Sequence, residues 1–379
     1  MASYTFRPHD IEPLLEGLAI FGTGGGGAPA WGKAILEQDF AVGRVPQIID
    51  LSEIPDDSTV VCGGIMGSVK VLEAMGTAGV VAHWEQRFEL LEVTRVMQGL
   101  LGKKIDYVVP FEVGGLNTPV VLTLAARMGI SVLDGDALGR SAPETQMTSF
   151  IGHGIRLTPM PLIDFKGNVV VVQSASDSTY PDQLGRWVVT NGGGLGANNH
   201  YPMSGAQAKA AVIPNTITAS LELGRAVLEA RAQANDPIQT IAAQLGGLFL
   251  HSGEITALTE EESMGFYFTT ARIQGAGQFA GHQAELVIKN ETMMLSIDGE
   301  PKAYFPDLVL LLEPDTGRGL MSVELAVGSR VSLVGLPCHP RLREAALSPE
   351  GRLAFSPARY GRAQETYRPI ESLVPGQGA

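Results

Sequence analysis

Positive charge and cysteine are what this chain has least of. Lys and Arg number 27 against 40 Asp and Glu, the net charge is −13, and no basic run occurs in the 379 residues. That lacks the electrostatic footprint with which proteins grip nucleic acid, so no nucleic-acid partner is expected. The two cysteines, Cys62 and Cys338, are too few for a disulfide framework, and a reduced, cytoplasmic setting is the default expectation. No window approaches the apolar length that spans a bilayer, and the amino terminus carries no charged-then-apolar leader pattern; no membrane association is expected. The histidines form no His-x-x-x-His or His-x-His pair, so a dedicated zinc motif is absent from the linear sequence.

Hydrophobic residues make up 45% and charged residues 18%, the balance of a well-packed protein rather than a disordered one. The length suggests two or three domains. The texture divides into an α/β domain over 1–165, a mixed connecting region over 166–246, and a β-rich domain over 247–379 that ends in a surface tail. Glycine is abundant, at 46 residues, and its densest tract is Gly22-Thr23-Gly24-Gly25-Gly26-Gly27. A dinucleotide fingerprint would need a strand before these glycines. Instead Asp10 to Phe21 reads as a helix, with Ile11, Leu14, Leu15 and Leu18 on one stripe. The tract therefore ends one helix and opens another at Pro29, where a missing N–H costs nothing. It is either a cradle of free N–H groups for a ligand or a tight helix–helix turn. No Gly-Lys-Ser/Thr follows it, and Lys33 stands alone, so no nucleotide is expected.

Short apolar runs then alternate with amphipathic ones. Thr59–Met66, Asp106–Phe111 and Ile130–Leu133 read as strands, with helices over Trp84–Leu101 and Thr118–Met128 between them. This alternation predicts a mostly parallel sheet flanked by helices. Further on, Asn168–Gln173 and Trp187–Thr190 look like strands, and Thr216–Arg231 and Pro237–Leu245 like helices. Asp236 before Pro237 is a strong helix start. From Leu248 strands dominate, punctuated by turn signals at Asn290-Glu291 and Asp298-Gly299, which predicts a carboxy-terminal β-rich domain.

In open α/β sheets ligands bind at the carboxyl ends of the strands. There the first predicted strand delivers Gly67 and Ser68. The second delivers Glu112 and Asn117, and the third Asp134, Asp136, Arg140 and Glu144. In a parallel sheet the four acids approach one crevice. Crowded carboxylates there cannot all stay ionised: one takes up a proton or a divalent cation neutralises the group. Glu112 is the sharpest candidate, because a charge closing the apolar run Tyr107–Phe111 lacks a packing role. Asp134 and Asp136 have an alternative use as turn and helix caps, Asn117 as an N-cap, and Arg140 as a structural partner of an acid. His153 and His200 sit among flexible neighbours and can reach such a site. The tract Gly192–Gly196 is either a lid over it or a plain connection.

These segments together resemble the S-methyl thiohydantoin desulfurase-like family. The resemblance rests on the glycine tract, on Glu112 through Asn117-Thr118-Pro119, and on Asp134-Gly135-Asp136 through Gly139-Arg140 to Pro143-Glu144. It continues in Ile213-Pro214-Asn215-Thr216-Ile217 and in Phe305-Pro306-Asp307-Leu308 with Asp315-Thr316-Gly317. It implies an amino-terminal α/β domain joined to a carboxy-terminal β-rich domain, and enzymes acting on five-membered hydantoin-like rings. The named activity has water attack a ring carbon and release a thiol. On this sequence it suggests Glu112 or Asp134 as base and Asp136 or Glu144 as proton donor or metal ligand. Thr23, Gly24, Gly25, Gly26, Gly27, Gly67, Ser68, Asn117 and Arg140 would bind the small-molecule substrate, with room for a homo-oligomer. An ATP-assisted hydantoinase or oxoprolinase component and a non-catalytic small-molecule-binding protein are the competing readings.

Overall fold

The computed structural model describes residues 4–67, 69–263 and 266–374. Among them, strands assemble into an eight-stranded sheet, a seven-stranded sheet and a two-stranded ribbon. In the first sheet Gln47–Ile49, Ser131–Leu133, Tyr107–Pro110 and Thr59–Gly67 lie side by side and parallel. Helices Glu89–Leu101 and Asn117–Met128 connect and cover them. Antiparallel strands extend the sheet at both flanks: Tyr4–Thr5 on one side, and Leu195–Ser204, Met160–Asp164 and Val169–Val172 on the other. The chain is the α/β protein with a β-rich carboxy-terminal domain that the alternation predicts.

The second sheet is antiparallel throughout. Asn290, at φ 60°, turns the chain between Gln283–Lys289 and Glu291–Ile297, and Asp298-Gly299, at φ 53° and 84°, turns it into Glu300–Tyr304. Asn, Asp and Gly are the residues that tolerate such left-handed backbone. The first turn sets Lys289, the last residue of one strand, directly opposite Glu291, the first of the next. Apolar side chains of both sheets meet in one core that includes Cys62, Val109, Leu133, Met293, Tyr304, Leu310 and Leu336. A second core joins the other face of the first sheet to its helices through residues such as Leu14, Trp84, Leu90 and Val121. Among the described residues no helix is long and apolar enough to cross a membrane.

Three expectations change. Trp187–Thr190 is not a strand but part of the helix Tyr180–Asn191. Its Val188 and Val189 are buried while Trp187 stays 65% exposed, so packing of one helical face overrides the strand preference of β-branched residues. The helix predicted over Trp84–Leu101 is two, Val69–Gln86 and Glu89–Leu101. Phe88 takes an extended backbone between them and packs edge-on against Trp84 at 5.5 Å, with the Arg127 guanidinium 4.8 Å from its ring centre. The tract Gly192–Gly196 is more than a plain connection: Gly192 caps the helix Tyr180–Asn191, Gly194 and Leu195 border a cavity at the carboxyl ends of the parallel strands, and its last residues open the strand Leu195–Ser204, which pairs with Thr59–Gly67.

Candidate functional site

The carboxyl ends of the parallel strands open on a cavity of about 350 Å³. Its floor is the first sheet, with Gly64–Gly67 and, from the neighbouring antiparallel strand, Asn198 and His200. One wall is the glycine bend 24–27 together with Glu112 and Asn117. The second sheet closes the cavity beside the bend with Asn290 and Glu291, and Met321–Val323 completes it.

The bend occupies this place because two segments grip it. The N–H of Leu116 donates to the Gly26 carbonyl at 3.0 Å, which fixes the bend to the loop after Glu112. Gly24 donates to the Leu320 carbonyl at 2.8 Å and accepts from the Ser322 N–H at 2.9 Å, which fixes it to the second domain. Close approach dictates glycine. A Cβ on Gly25 would fall 1.5 Å from Glu291 Oε1, and one on Gly114 would fall 2.4 Å from the Gly26 carbonyl oxygen. The tract therefore lets Glu291 come into the cavity, a role beyond the turn or the ligand cradle considered from sequence.

Glu112 ends the strand Tyr107–Pro110 by two residues and is 3% exposed. Its carboxylate accepts from the Asn117 side-chain amide and, at 2.7 Å, from the Ala142 N–H. Burial pushes its pKa up to about 7, against those hydrogen bonds and the charge of Arg140. Glu291 is equally buried, and among the described residues its Oε2 has no hydrogen-bond partner. Burial and then the charge of Glu112 hold its pKa well above the carboxylate range. His200 lies 5.8 Å edge-on from Phe111, its Nδ1 has no partner, and burial lowers its pKa to about 3, so the ring is neutral. A neutral imidazole in a dry wall offers one donor and one acceptor to a polar ring.

The other predicted residues are placed differently. Glu144 lines the cavity but is tied up: Lys289 Nζ donates to it at 2.5 Å, Arg359 grips both its oxygens and Gln146 donates at 2.8 Å. Burial works to raise its pKa, yet the Arg359 hydrogen bonds and the Lys289 charge hold it lower. Asp134 does not line the cavity. It caps the helix Thr216–Ala232 from outside, accepting from the N–H groups of Ile217 and Thr218 at 3.1 Å and from the Thr218 hydroxyl. Asn215 holds the N-cap position and makes no side-chain cap bond, so Asp134 satisfies the free N–H groups instead.

Asp136 sits behind the wall. It accepts from the N–H groups of Leu138 and Gly139 at 3.0 and 2.9 Å, and burial raises it to about 7. Arg140 is also outside the cavity, and its guanidinium donates to the carbonyls of Ser141, Pro306, Asp307 and Thr292. All these partners are neutral, so its charge acts on Glu112 and Glu291. Thr23 faces the second sheet, where its hydroxyl accepts from the Leu311 N–H at 3.4 Å. Gly67 and Asn117 line the cavity, while Ser68 lies outside the described residues. His153 is not among the lining residues. Both thiols are buried and their pKa values pushed up, so neither is an activated nucleophile.

Among the described residues no three His, Cys, Asp or Glu side chains cluster as ligands for a metal ion. The donor set among these residues does not fit the divalent cation considered from sequence. Sequence reasoning missed Glu291. The same signal that marked Glu112, a charge bounding an apolar run, marks it too, but there it was read as part of a turn.

Fold and site define a class: an α/β protein whose second, antiparallel domain closes a polar cavity at the carboxyl ends of parallel strands. A crystal structure of a protein from Chromobacterium violaceum shares this fold, with a TM-score of 0.72 at 21% identity over 97% of this chain and 100% of that one. Two family profiles match in tandem, the S-Me-THD-like N-terminal domain over residues 9–174 and the S-Me-THD-like C-terminal domain over residues 175–370. The chain belongs to the S-Me-THD-like family. Among curated proteins none matches it.

Proposed function

We propose that this protein is a hydrolase of a hydantoin-like five-membered ring, and that it releases a thiol from a 2-alkylthio-substituted ring carbon. The observation that carries the reading is Glu112: a buried carboxylate on the cavity wall whose proton affinity is matched to neutral pH, the condition for an effective general base. Glu112 takes a proton from water as the water oxygen bonds to the ring carbon. Asn117 and the Ala142 N–H hold the carboxylate in place, each on one oxygen. A cavity of about 350 Å³ suits a small flat ring, and Asn198 and neutral His200 supply its polar contacts. Family membership supports the substrate class.

The test is thiol release from an S-methyl thiohydantoin by the purified protein, followed with a chromogenic thiol reagent. Release that needs no nucleotide is expected. An inert wild-type protein, or release that depends on ATP, would overturn the reading.

A further inference from the structure

Addition of water to a C=N bond also needs a proton for the ring nitrogen. Neither acid proposed for that role from sequence is placed to give one: Glu144 is held as an anion by Lys289 and Arg359, and Asp136 does not reach the cavity. The second sheet offers a different group. Glu291 lies 3% exposed on the cavity, and among the described residues its Oε2 has no partner. Its approach is built in, since Gly24 and Gly25 carry no side chain where a Cβ would fall 2.9 Å from the Glu291 Cα and 1.5 Å from its Oε1, respectively.

We propose that Glu291 is the catalytic acid of this site, working with Glu112 as its base, so that each of the two sheets contributes one carboxyl of a pair. The inference rests on the hydrolytic reading above. In the addition half, the water oxygen bonds to the ring carbon, Glu112 takes one water proton, and Glu291 gives its proton to the ring nitrogen as the C=N bond opens. In the collapse, the new hydroxyl returns its proton to Glu291 and the C–O bond becomes double. The C–S bond breaks, and the proton on Glu112 goes to the departing sulfur. Both carboxyls end as they began, and the sum is ring plus water giving carbonyl plus thiol.

The charged groups that act on Glu291 are Glu112 from the first sheet, Arg140 from the segment that follows Asp136, and Arg186 from the helix Tyr180–Asn191, while its cross-strand neighbour Lys289 is engaged by Glu144. Burial and Glu112 favour the protonated acid, while the two arginines oppose it. The acid therefore stays loaded at neutral pH, where Glu112 is close to its midpoint of about 7. Because the two interact, the pH profile reports values that belong to the pair.

The experiment compares wild type, Glu291→Gln and Glu291→Asp on S-methyl thiohydantoin, with affinity measured by calorimetry and folding by thermal melting. Loss of an acid lowers kcat by about 100-fold or more in Glu291→Gln and removes the alkaline limb of the profile, with the dissociation constant within about threefold of wild type. Partial recovery in Glu291→Asp is expected. A kcat for Glu291→Gln within about threefold of wild type, or an unchanged alkaline limb, overturns the proposal. A wild-type protein inert on this substrate overturns the hydrolytic reading instead, and infrared spectroscopy then decides for Glu291. At neutral pH, a protonated carboxyl component that Glu291→Gln abolishes supports the loaded acid, and its absence overturns it.

Discussion

Glu144 and Glu112 line the same cavity and are equally buried, yet they are kept in opposite states. Glu144 has Lys289 and Arg359 within direct ion-pair reach, and its pKa falls. Glu112 has only neutral donors at its oxygens, with Arg140 acting from further off, and its pKa rises to about 7. The difference lies in the neighbours, since burial penalises both anions alike. A carboxylate whose charge is cancelled on contact can hold two domains together. One whose charge is left uncancelled becomes a place to store a proton. Lys289 and Glu291 face each other across a single turn, so the second sheet supplies the cation to one acid and the partner acid to the other.

Breaking the neutralised side has the largest expected effect. Lys289→Met leaves Glu144 with Arg359 alone in a buried setting, and removal of one partner from such a pair costs about 3 kcal/mol of stability, measurable by urea unfolding. Turnover in this variant tells whether the two sides are separable. On the proton-storing side, Glu112→Gln lowers kcat/KM about 100-fold or more and abolishes the fall in rate as pH drops below about 7. Gly25→Ala pushes a methyl group into the place of Glu291 Oε1, and a loss of about tenfold in kcat is expected with Glu112 untouched, read by steady-state kinetics.

A smaller effect concerns stability against pH. The native Glu112 keeps its proton up to about 7, whereas an unperturbed one releases it near 4.5, so its contribution to stability falls as pH rises through that interval. Glu112→Gln removes the slope, and its melting curve at about pH 8 should show a protein more stable than wild type by about 1–3 kcal/mol. The smallest effect is at Asp134, where Asp134→Asn weakens a helix cap. About 1 kcal/mol of stability is lost while kcat stays within about twofold of wild type; a large fall in kcat would put Asp134 back among the catalytic candidates.

The parallel strands were legible in sequence because each is a short apolar run bounded by polar or glycine residues, and the hairpins because Asn290 and Asp298-Gly299 name their own turns. Leu195–Ser204 was not, because Asn198, Asn199 and His200 face buried polar surroundings and break the apolar signature of an interior strand. Tertiary contact hid the rest. Asp134 and Glu112 look alike in sequence, each closing an apolar strand, and only the arrival of Thr216–Ala232 over Asp134 separates them. Glu291 belongs to the site through contacts that cross more than half the chain, from the glycine bend to the second sheet; its charge at the edge of an apolar run is a local mark that does not say which cavity it enters.

The double grip on the glycine bend has a consequence for assembly. Gly24 and Gly26 are fastened by hydrogen bonds to opposite halves of the protein, so the bend is complete only when both halves are seated. On the proposed pairing, a copy with the halves apart has one carboxyl without the other and is silent rather than merely slow.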